Sequence, residues 1–217
     1  MLAEYKTVYK GGEGEITEKK SRFIATVFPA ESEEEAQRFI EEMRKKYWDA
    51  THNCFAYVLG ERGELQRYSD DGEPGGTAGK PMLDVLLGEE IHNAVLVVSR
   101  YFGGTLLGTG GLVRAYASAA KKGLASSRII TKIWGIKLSV TTDYAGFGKI
   151  QYLLGSRNLK IQDCVYTDKV NMHVLVPERL VAEVKAQIQE TTGGQAGMEE
   201  GMACYFAEID GKIEIFE

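Results

Sequence analysis

The chain has 217 residues, of which 44% are hydrophobic and 26% are charged, with a formal net charge of −5, so one or two domains with their own cores are possible. The negative charge disfavours a protein that coats nucleic acid with its whole surface, and an anionic partner must therefore meet a local basic patch. No apolar run approaches a membrane span of about 18 residues and no signal-peptide core begins the chain, which predicts a cytoplasmic protein without membrane association.

The N-terminal region is predicted to be a strand meander followed by a helix. Residues 5–28 are rich in β-branched and aromatic residues and are broken by glycine turns, a pattern typical of short antiparallel strands. Ser32 and Glu35 have the spacing of a capping box, which predicts a helix that starts there and runs to about Tyr47.

The next segment combines a hairpin, two helices and a buried strand. A hairpin is predicted over residues 53–69, and Pro81 suits the first turn of a short helix. Residues 92–102 form a nearly continuous apolar run that is typical of a buried strand. A glycine-rich loop follows to Gly111, and an apolar stripe beginning at Leu112 predicts a second, longer helix.

From about Ile129 the pattern changes to strand, helix, two strands, helix and strand within roughly 85 residues, which is the β-α-β-β-α-β order of a ferredoxin-like domain. The fold class is therefore predicted as α+β in two domains. We place them at residues 1–129 and 130–217.

The segment from Ser99 to Tyr116 is the strongest candidate for a binding surface. Its five glycines lie between a buried strand and a helix, where free backbone N–H groups and the positive helix end attract anions. Glycines serve tight turns and helix–sheet packing equally well, and the spacing matches neither the dinucleotide fingerprint nor the P-loop. The candidate anion- or nucleic-acid-binding residues are Arg100, Gly103, Gly104, Thr105, Gly108, Thr109, Gly110, Gly111, Arg114, Lys121 and Lys122.

These candidates lie in a window from Ile91 to Thr142 that contains no Asp or Glu. Exposed basic residues in such a window would form a local patch for phosphate groups. The alternative is that the window is mostly buried strand and helix, where acids are scarce in any protein.

Weaker candidates for chemistry lie upstream. Asp70, Asp71 and Glu73 are close enough in sequence to hold a metal ion or to act as acid and base, although turns are generally rich in such residues. His52 and Cys54 share one face of a predicted strand and have the residue types of a catalytic pair, but a buried structural pair fits equally well. No cofactor and no cysteine-bound metal is expected, because the three cysteines are widely scattered.

The strings ATHNCFAYVLG (residues 50–60), YSDDGEPGGTAGKPML (68–83) and VVSRYFGGTLLGTGGLVRAY (97–116) resemble the signature of the YigZ/IMPACT family. The resemblance implies a first domain with the ribosomal-protein-S5 domain-2-like fold and a ferredoxin-like second domain, similar to the last two domains of translocation elongation factor G. Eukaryotic members of this family regulate translation.

Three functional hypotheses follow. The first is a non-enzymatic regulatory protein that binds RNA or the ribosome through the acid-free window, with the second domain in support. The second is an enzyme acting on a small phosphorylated or nucleotide-like substrate, which needs a pocket that joins the glycine-rich loop to residues 70–73. The third is an adaptor that binds a protein partner in translation and has no ligand.

Overall fold

The computed structural model describes residues 1–216. It divides into two compact units, residues 5–131 and residues 1–4 together with those from 132 onward. No helix within residues 1–216 is long and apolar enough to cross a membrane. The elements in chain order are β1 Glu4–Lys10, β2 Glu13–Glu18, β3 Ser21–Pro29, α1 Glu33–Lys46, β4 His52–Leu59, β5 Leu65–Ser69, α2 Gly79–Gly88, β6 Ile91–His92, β7 Ala94–Tyr101, α3 Thr109–Ala125, β8 Arg128–Thr142, α4 Tyr144–Ser156, β9 Ile161–Tyr166, β10 Val170–Pro177, α5 Val181–Thr191, β11 Gly197–Ile209 and β12 Lys212–Phe216.

The unit of residues 5–131 is built on a five-stranded sheet in the order β2-β3-β7-β4-β5, with every neighbouring pair antiparallel. The central strand β7 is apolar from Ala94 to Val98 because both faces of the sheet are covered. Leu96 and Val98 join a core with α2 and α3, whereas Val95 and Val97 join a core with α1. The two sets alternate along the strand, as side chains of a β-strand must.

Helix α1 begins where the capping box predicts. The Ser32 hydroxyl accepts a hydrogen bond from the Glu35 N–H at 3.2 Å, and the Glu35 carboxylate accepts one from the Glu31 N–H at 2.8 Å. Both contacts satisfy donors near the start of the helix that have no partner within it. Its inward face contributes Phe39 and Ile40 to the core.

Helix α3 begins three residues earlier than the apolar stripe predicts. Gly108 precedes it with φ of 71°, a left-handed conformation that glycine adopts without strain, and Thr109, Gly110 and Gly111 form the first turn. The last three residues of the predicted loop are therefore helical. The sequence pattern does not show this, because the first turn of α3 buries no apolar side chain and so leaves no apolar periodicity.

The second unit contains β8-α4-β9-β10-α5-β11, with strands in the order β11-β8-β10-β9 and β12 paired to β11. The central pairings are antiparallel, and the two helices contribute Ile150, Leu154, Val184 and Ile188 to one buried core with the strands. The predicted α+β class, with two domains and a ferredoxin-like second domain, is confirmed. Strand β12 is an addition that the sequence analysis missed.

Candidate functional site

A cleft of about 470 Å³ opens in the unit of residues 5–131, between the loop that follows β5 and the start of α3. The end of β7 and the start of β4 form its floor. Its size is within the usual range for small-molecule sites. The lining residues are Thr51, His52, Gly72, Glu73, Pro74, Arg100, Phe102, Leu106, Leu107, Gly108, Thr109 and Leu112.

A buried ion pair lies at the inner end of this cleft. Arg100 Nη1 donates to Glu73 Oε1 at 2.5 Å, and the two side chains are only 6% and 3% exposed. The Tyr116 hydroxyl also donates to Glu73 Oε1, at 2.7 Å. Because a buried charge is tolerated only when it is paired and hydrogen-bonded, these contacts fix Glu73 against both β7 and α3.

The guanidinium of Arg100 lies between two aromatic rings. Its central carbon is 5.3 Å from the ring centroid of Phe23 and 5.6 Å from that of Phe102. Its Nη2 makes a long contact of 3.4 Å with the Ser21 hydroxyl, and its buried Nε–H has no hydrogen-bond partner within residues 1–216. One donor edge of this buried arginine, formed by Nε and Nη2, is thus incompletely used.

The other two acids of the loop accept hydrogen bonds from backbone N–H groups. Asp70 Oδ1 accepts from the N–H groups of Ala78 and Gly79 at 3.0 and 2.8 Å, and Oδ2 accepts from Gly76 N–H at 2.8 Å. Asp71 Oδ2 accepts from the Asn53 N–H at 2.6 Å. Within residues 1–216 no three His, Cys, Asp or Glu side chains are grouped so that they could hold a metal ion.

His52 faces the cleft in a defined orientation. Its Nδ1 lies 2.7 Å from the carbonyl oxygen of Asp71, which can only accept, so Nδ1 is the donor and, in the neutral imidazole, Nε2 carries the lone pair. Nε2 is 3.9 Å from Glu73 Oε1. The imidazole is therefore positioned to accept a hydrogen bond or a proton from a molecule in the cleft.

Cys54 lies behind the cleft wall and is fully buried. Its thiol donates to the Asp70 carbonyl at 3.0 Å, and its Sγ is 3.4 Å from the Tyr116 hydroxyl. Burial raises the pKa of Cys54 well above its usual value, and burial likewise raises the pKa of Tyr116. Both groups stay protonated at neutral pH, so Cys54 is a poor nucleophile in this environment.

The glycine-rich loop combines packing with an open helix end. A Cβ on Gly103 would lie 2.0 Å from the backbone of Lys20, so only glycine fits there, while Gly103 N–H donates to the Ser21 hydroxyl at 3.1 Å. Gly104 and Thr105 are exposed. No side chain of residues 1–216 caps α3, so the N–H groups of its first turn point out of the helix end without a protein partner.

The basic candidates separate into two environments. Arg100 is buried and paired with Glu73, whereas Arg114, Lys121 and Lys122 are exposed on α3. Spacings of seven and eight residues place the last two on the same face as Arg114. None of the three forms an ion pair within residues 1–216.

Several residues at the cleft were not singled out from the sequence. Tyr116 was assigned only to the apolar stripe of α3, and its contact with Glu73 has no signature in a pattern of 3.6 residues per turn. Thr51 and Phe102 also line the cleft, and the Phe102 N–H donates to the Thr51 hydroxyl at 3.2 Å across 51 residues of sequence, a contact that no local pattern reveals.

Comparison with known proteins identifies the family. The model of the Impact N-terminal domain matches residues 19–124, and that of a domain of unknown function, DUF1949, matches residues 140–195. The IMPACT family member YvyE of Bacillus subtilis (strain 168) is 39% identical over 214 residues, which cover 99% of both chains. The chain belongs to the IMPACT family. Another IMPACT family member, YigZ of Escherichia coli (strain K12), is 39% identical over 81% of this chain and 87% of its own length.

Further matches cover part of this chain or are solved structures. The Protein IMPACT homolog of Dictyostelium discoideum is 42% identical over 106 residues, covering 47% of this chain and 30% of its own. A crystal structure described as that of a hypothetical protein superposes with a TM-score of 0.58 at 32% identity, over 93% of this chain and 99% of that one. The structure of the two-domain translational regulator Yih1 matches 54% of this chain and 47% of its own at 25% identity, with a TM-score of only 0.39.

Proposed function

We propose that this IMPACT family member is a non-enzymatic regulator of translation that acts in the cytoplasm and binds RNA or the ribosome. The observation that carries the proposal is the basic face of α3, defined by Arg114, Lys121 and Lys122. These side chains are exposed on a helix that contains no acidic residue. They support a local contact with phosphate groups in a chain whose net charge is −5.

The geometry of the basic face suits a nucleic-acid strand. Seven residues separate Arg114 from Lys121, which corresponds to about 10 Å along a helix at 1.5 Å per residue. Several backbone phosphates of one strand fall within that span and within reach of long basic side chains. Lys19 lines the same surface depression as Arg114 and extends the positive surface beyond the helix, although Glu18 also lies there.

The test is a comparison of two double variants. Arg114→Ala with Lys121→Ala removes an arginine and a lysine seven residues apart on α3. Arg38→Ala with Lys45→Ala removes the same pair at the same spacing on α1, where both are exposed and where the helix packs on the opposite face of the sheet. The two variants carry the same net charge, so they differ only in the surface from which positive charge has been removed.

Binding is measured to purified ribosomal subunits and to ribosomal RNA at several salt concentrations. We expect wild-type affinity to fall steeply with salt, and the α3 variant to lose about 1.5 to 2 from the slope of log affinity against log salt, while the α1 variant keeps the wild-type slope. Equal slopes for the two variants, or binding that is indifferent to salt, would contradict the proposal. A protein complex that survives nuclease treatment and needs neither pair of residues would favour an adaptor.

One observation favours the enzymatic alternative, since the cleft brings the loop of residues 70–73 next to the first turn of α3. Asp70 is occupied by backbone amides and Glu73 by Arg100 and Tyr116, which leaves His52 Nε2 as the available proton acceptor. Release of inorganic phosphate from phosphate monoesters, abolished by His52→Gln, would establish this activity. No release above the buffer blank, with and without Mg²⁺, would refute it.

A further inference from the structure

We propose that the cleft between the loop after β5 and the start of α3 binds a small organic anion, with a phosphate or carboxylate head and an apolar body. This site is separate from the basic face of α3, and it does not depend on the protein binding RNA. Its ligand would be a metabolite-sized molecule, since the cleft holds about 470 Å³.

The first element of the site is the helix end. Helix α3 has 17 residues, its N-cap is Gly108, and no side chain within residues 1–216 accepts from its first-turn N–H groups. The aligned peptide dipoles place about half a positive charge at this end, which favours an anion. Gly108 and Thr109 both line the cleft, so the helix end faces the space in question.

The second element is independent of the helix and lies on β7. Arg100 borders the same cleft, is only 5% exposed, and has an Nε–H without any partner in residues 1–216. Glu73 engages Nη1, and Nη2 makes only a long contact of 3.4 Å with the Ser21 hydroxyl, so the Nε–H is the donor that remains for a second acceptor. A buried polar group is expected to have a partner, and a phosphate or carboxylate oxygen would supply it.

The charged groups that line the cleft allow an anion to bind, although one of them is a carboxylate. Glu73 is the one carboxylate among the lining residues that the structure describes, and its charge is balanced by Arg100 and by the hydrogen bond from Tyr116. The pair contributes no net charge. The positive helix end and the unpaired Nε–H of Arg100 therefore favour a negatively charged ligand.

The apolar residues that line the cleft favour a ligand whose remaining part is apolar. Phe102 and Leu106 are exposed, at 46% and 82%, and line the cleft together with Leu107, Leu112 and Pro74. An apolar body would cover this surface, and His52 Nε2 would accept a hydrogen bond from a hydroxyl or N–H on it.

The experiment uses the whole chain and small probes at matched ionic strength. Phenyl phosphate, benzoate, inorganic phosphate and acetate are titrated by calorimetry and by saturation-transfer NMR, with sodium chloride as the reference. We expect saturable binding of phenyl phosphate or benzoate with a Kd on the order of 1 mM or below, about tenfold tighter than the matching inorganic phosphate or acetate. The two aromatic probes show whether the head is a phosphate or a carboxylate.

Three variants locate the site. A Cβ on Gly110 would meet only Arg114 Nη1, at 3.5 Å, so both Gly110→Asp and the isosteric Gly110→Asn are accommodated. The aspartate places a negative charge on the helix end, and binding by Gly110→Asp should be at least tenfold weaker than by Gly110→Asn. Ser118→Asp adds the same charge two turns along α3 and should leave the affinity for the probe at the wild-type value.

Arg100→Lys keeps the charge next to Glu73 but removes the Nε and Nη2 edge, and should weaken binding at least tenfold. If this variant does not fold, the comparison of Gly110→Asp with Gly110→Asn is sufficient to test the proposal. Equal binding by Gly110→Asp and Gly110→Asn, or no saturable binding of any probe, would overturn the proposal. Displacement of bound phenyl phosphate by ribosomal RNA would also overturn it, because the cleft would then belong to the nucleic-acid surface.

Discussion

The buried pair of Glu73 and Arg100 should show strong energetic coupling when its members are replaced. Glu73→Gln keeps an acceptor for the Tyr116 hydroxyl but leaves the Arg100 guanidinium buried without a counter-charge. Arg100→Met likewise leaves the Glu73 carboxylate buried without a counter-charge. Because both side chains are at least nine-tenths buried, each single change should lower the free energy of unfolding by about 3 to 5 kcal/mol.

The double variant should lose much less than the sum of the two singles. Glutamine and methionine are both neutral, and the hydrogen bond from Tyr116 is retained, so we expect a total loss of about 1 to 3 kcal/mol. The coupling free energy is then at least about 3 kcal/mol, well beyond the 0.3 to 0.5 kcal/mol within which independent sites add.

Native-state hydrogen exchange of the β4 and β7 amides measures this loss in the unit that contains the pair, and urea unfolding by circular dichroism gives a second value. The control is Arg22→Met with Glu15→Gln, a bidentate pair on the exposed surface with contacts of 2.8 and 2.9 Å, where coupling should stay below about 1 kcal/mol. Additive losses at Glu73 and Arg100, or single losses below about 1 kcal/mol, would refute the assignment of a buried charge pair.

Four further outcomes are expected. Cys54 should react with iodoacetamide far more slowly in the folded protein than in urea, since burial raises its pKa; a rate equal to that of the unfolded chain, measured by mass spectrometry, would contradict its burial. For the same reason the folded thiol stays protonated while the unfolded one ionises, so stability should fall as the pH rises above about 9, and Cys54→Ala should flatten that fall in urea titrations at pH 8 to 10. Asp70→Ala removes three backbone hydrogen bonds and should cost about 2 to 4 kcal/mol, with early exchange of the first amides of α2; a loss below about 0.5 kcal/mol would show that water replaces the carboxylate. Ile150→Ala should cost about 2 to 5 kcal/mol in the ferredoxin-like unit while the β7 amides keep their protection, and a loss of protection there would contradict the separation of the two cores.

The fold was largely predictable because its signals are local. The spacing of Ser32 and Glu35 marked the start of α1, and the order of apolar patterns after Ile129 was sufficient for the ferredoxin-like arrangement. Strand β12 was missed because five residues at the C-terminal end of the chain carry too little periodicity to be recognised.

The candidate site was predictable only in part. The glycine-rich loop and the acids of residues 70–73 were recognised as separate features, but their meeting in one cleft depends on the order of strands in the sheet. Arg100 was assigned to a basic patch from its charge alone. Its position on the central strand, 27 residues from Glu73 in sequence, gives it a buried partner that no local pattern reveals.

The contacts of Glu73 also have a kinetic consequence. The residue connects its loop to β7 through Arg100 and to α3 through Tyr116, so opening the loop would require separating a buried charge from both donors. Such an opening is rare on the timescale of ligand encounter, and the cleft is therefore already formed before a ligand arrives. Association should be a single step whose observed rate rises linearly with ligand concentration, without the plateau that a slow rearrangement of the protein would impose.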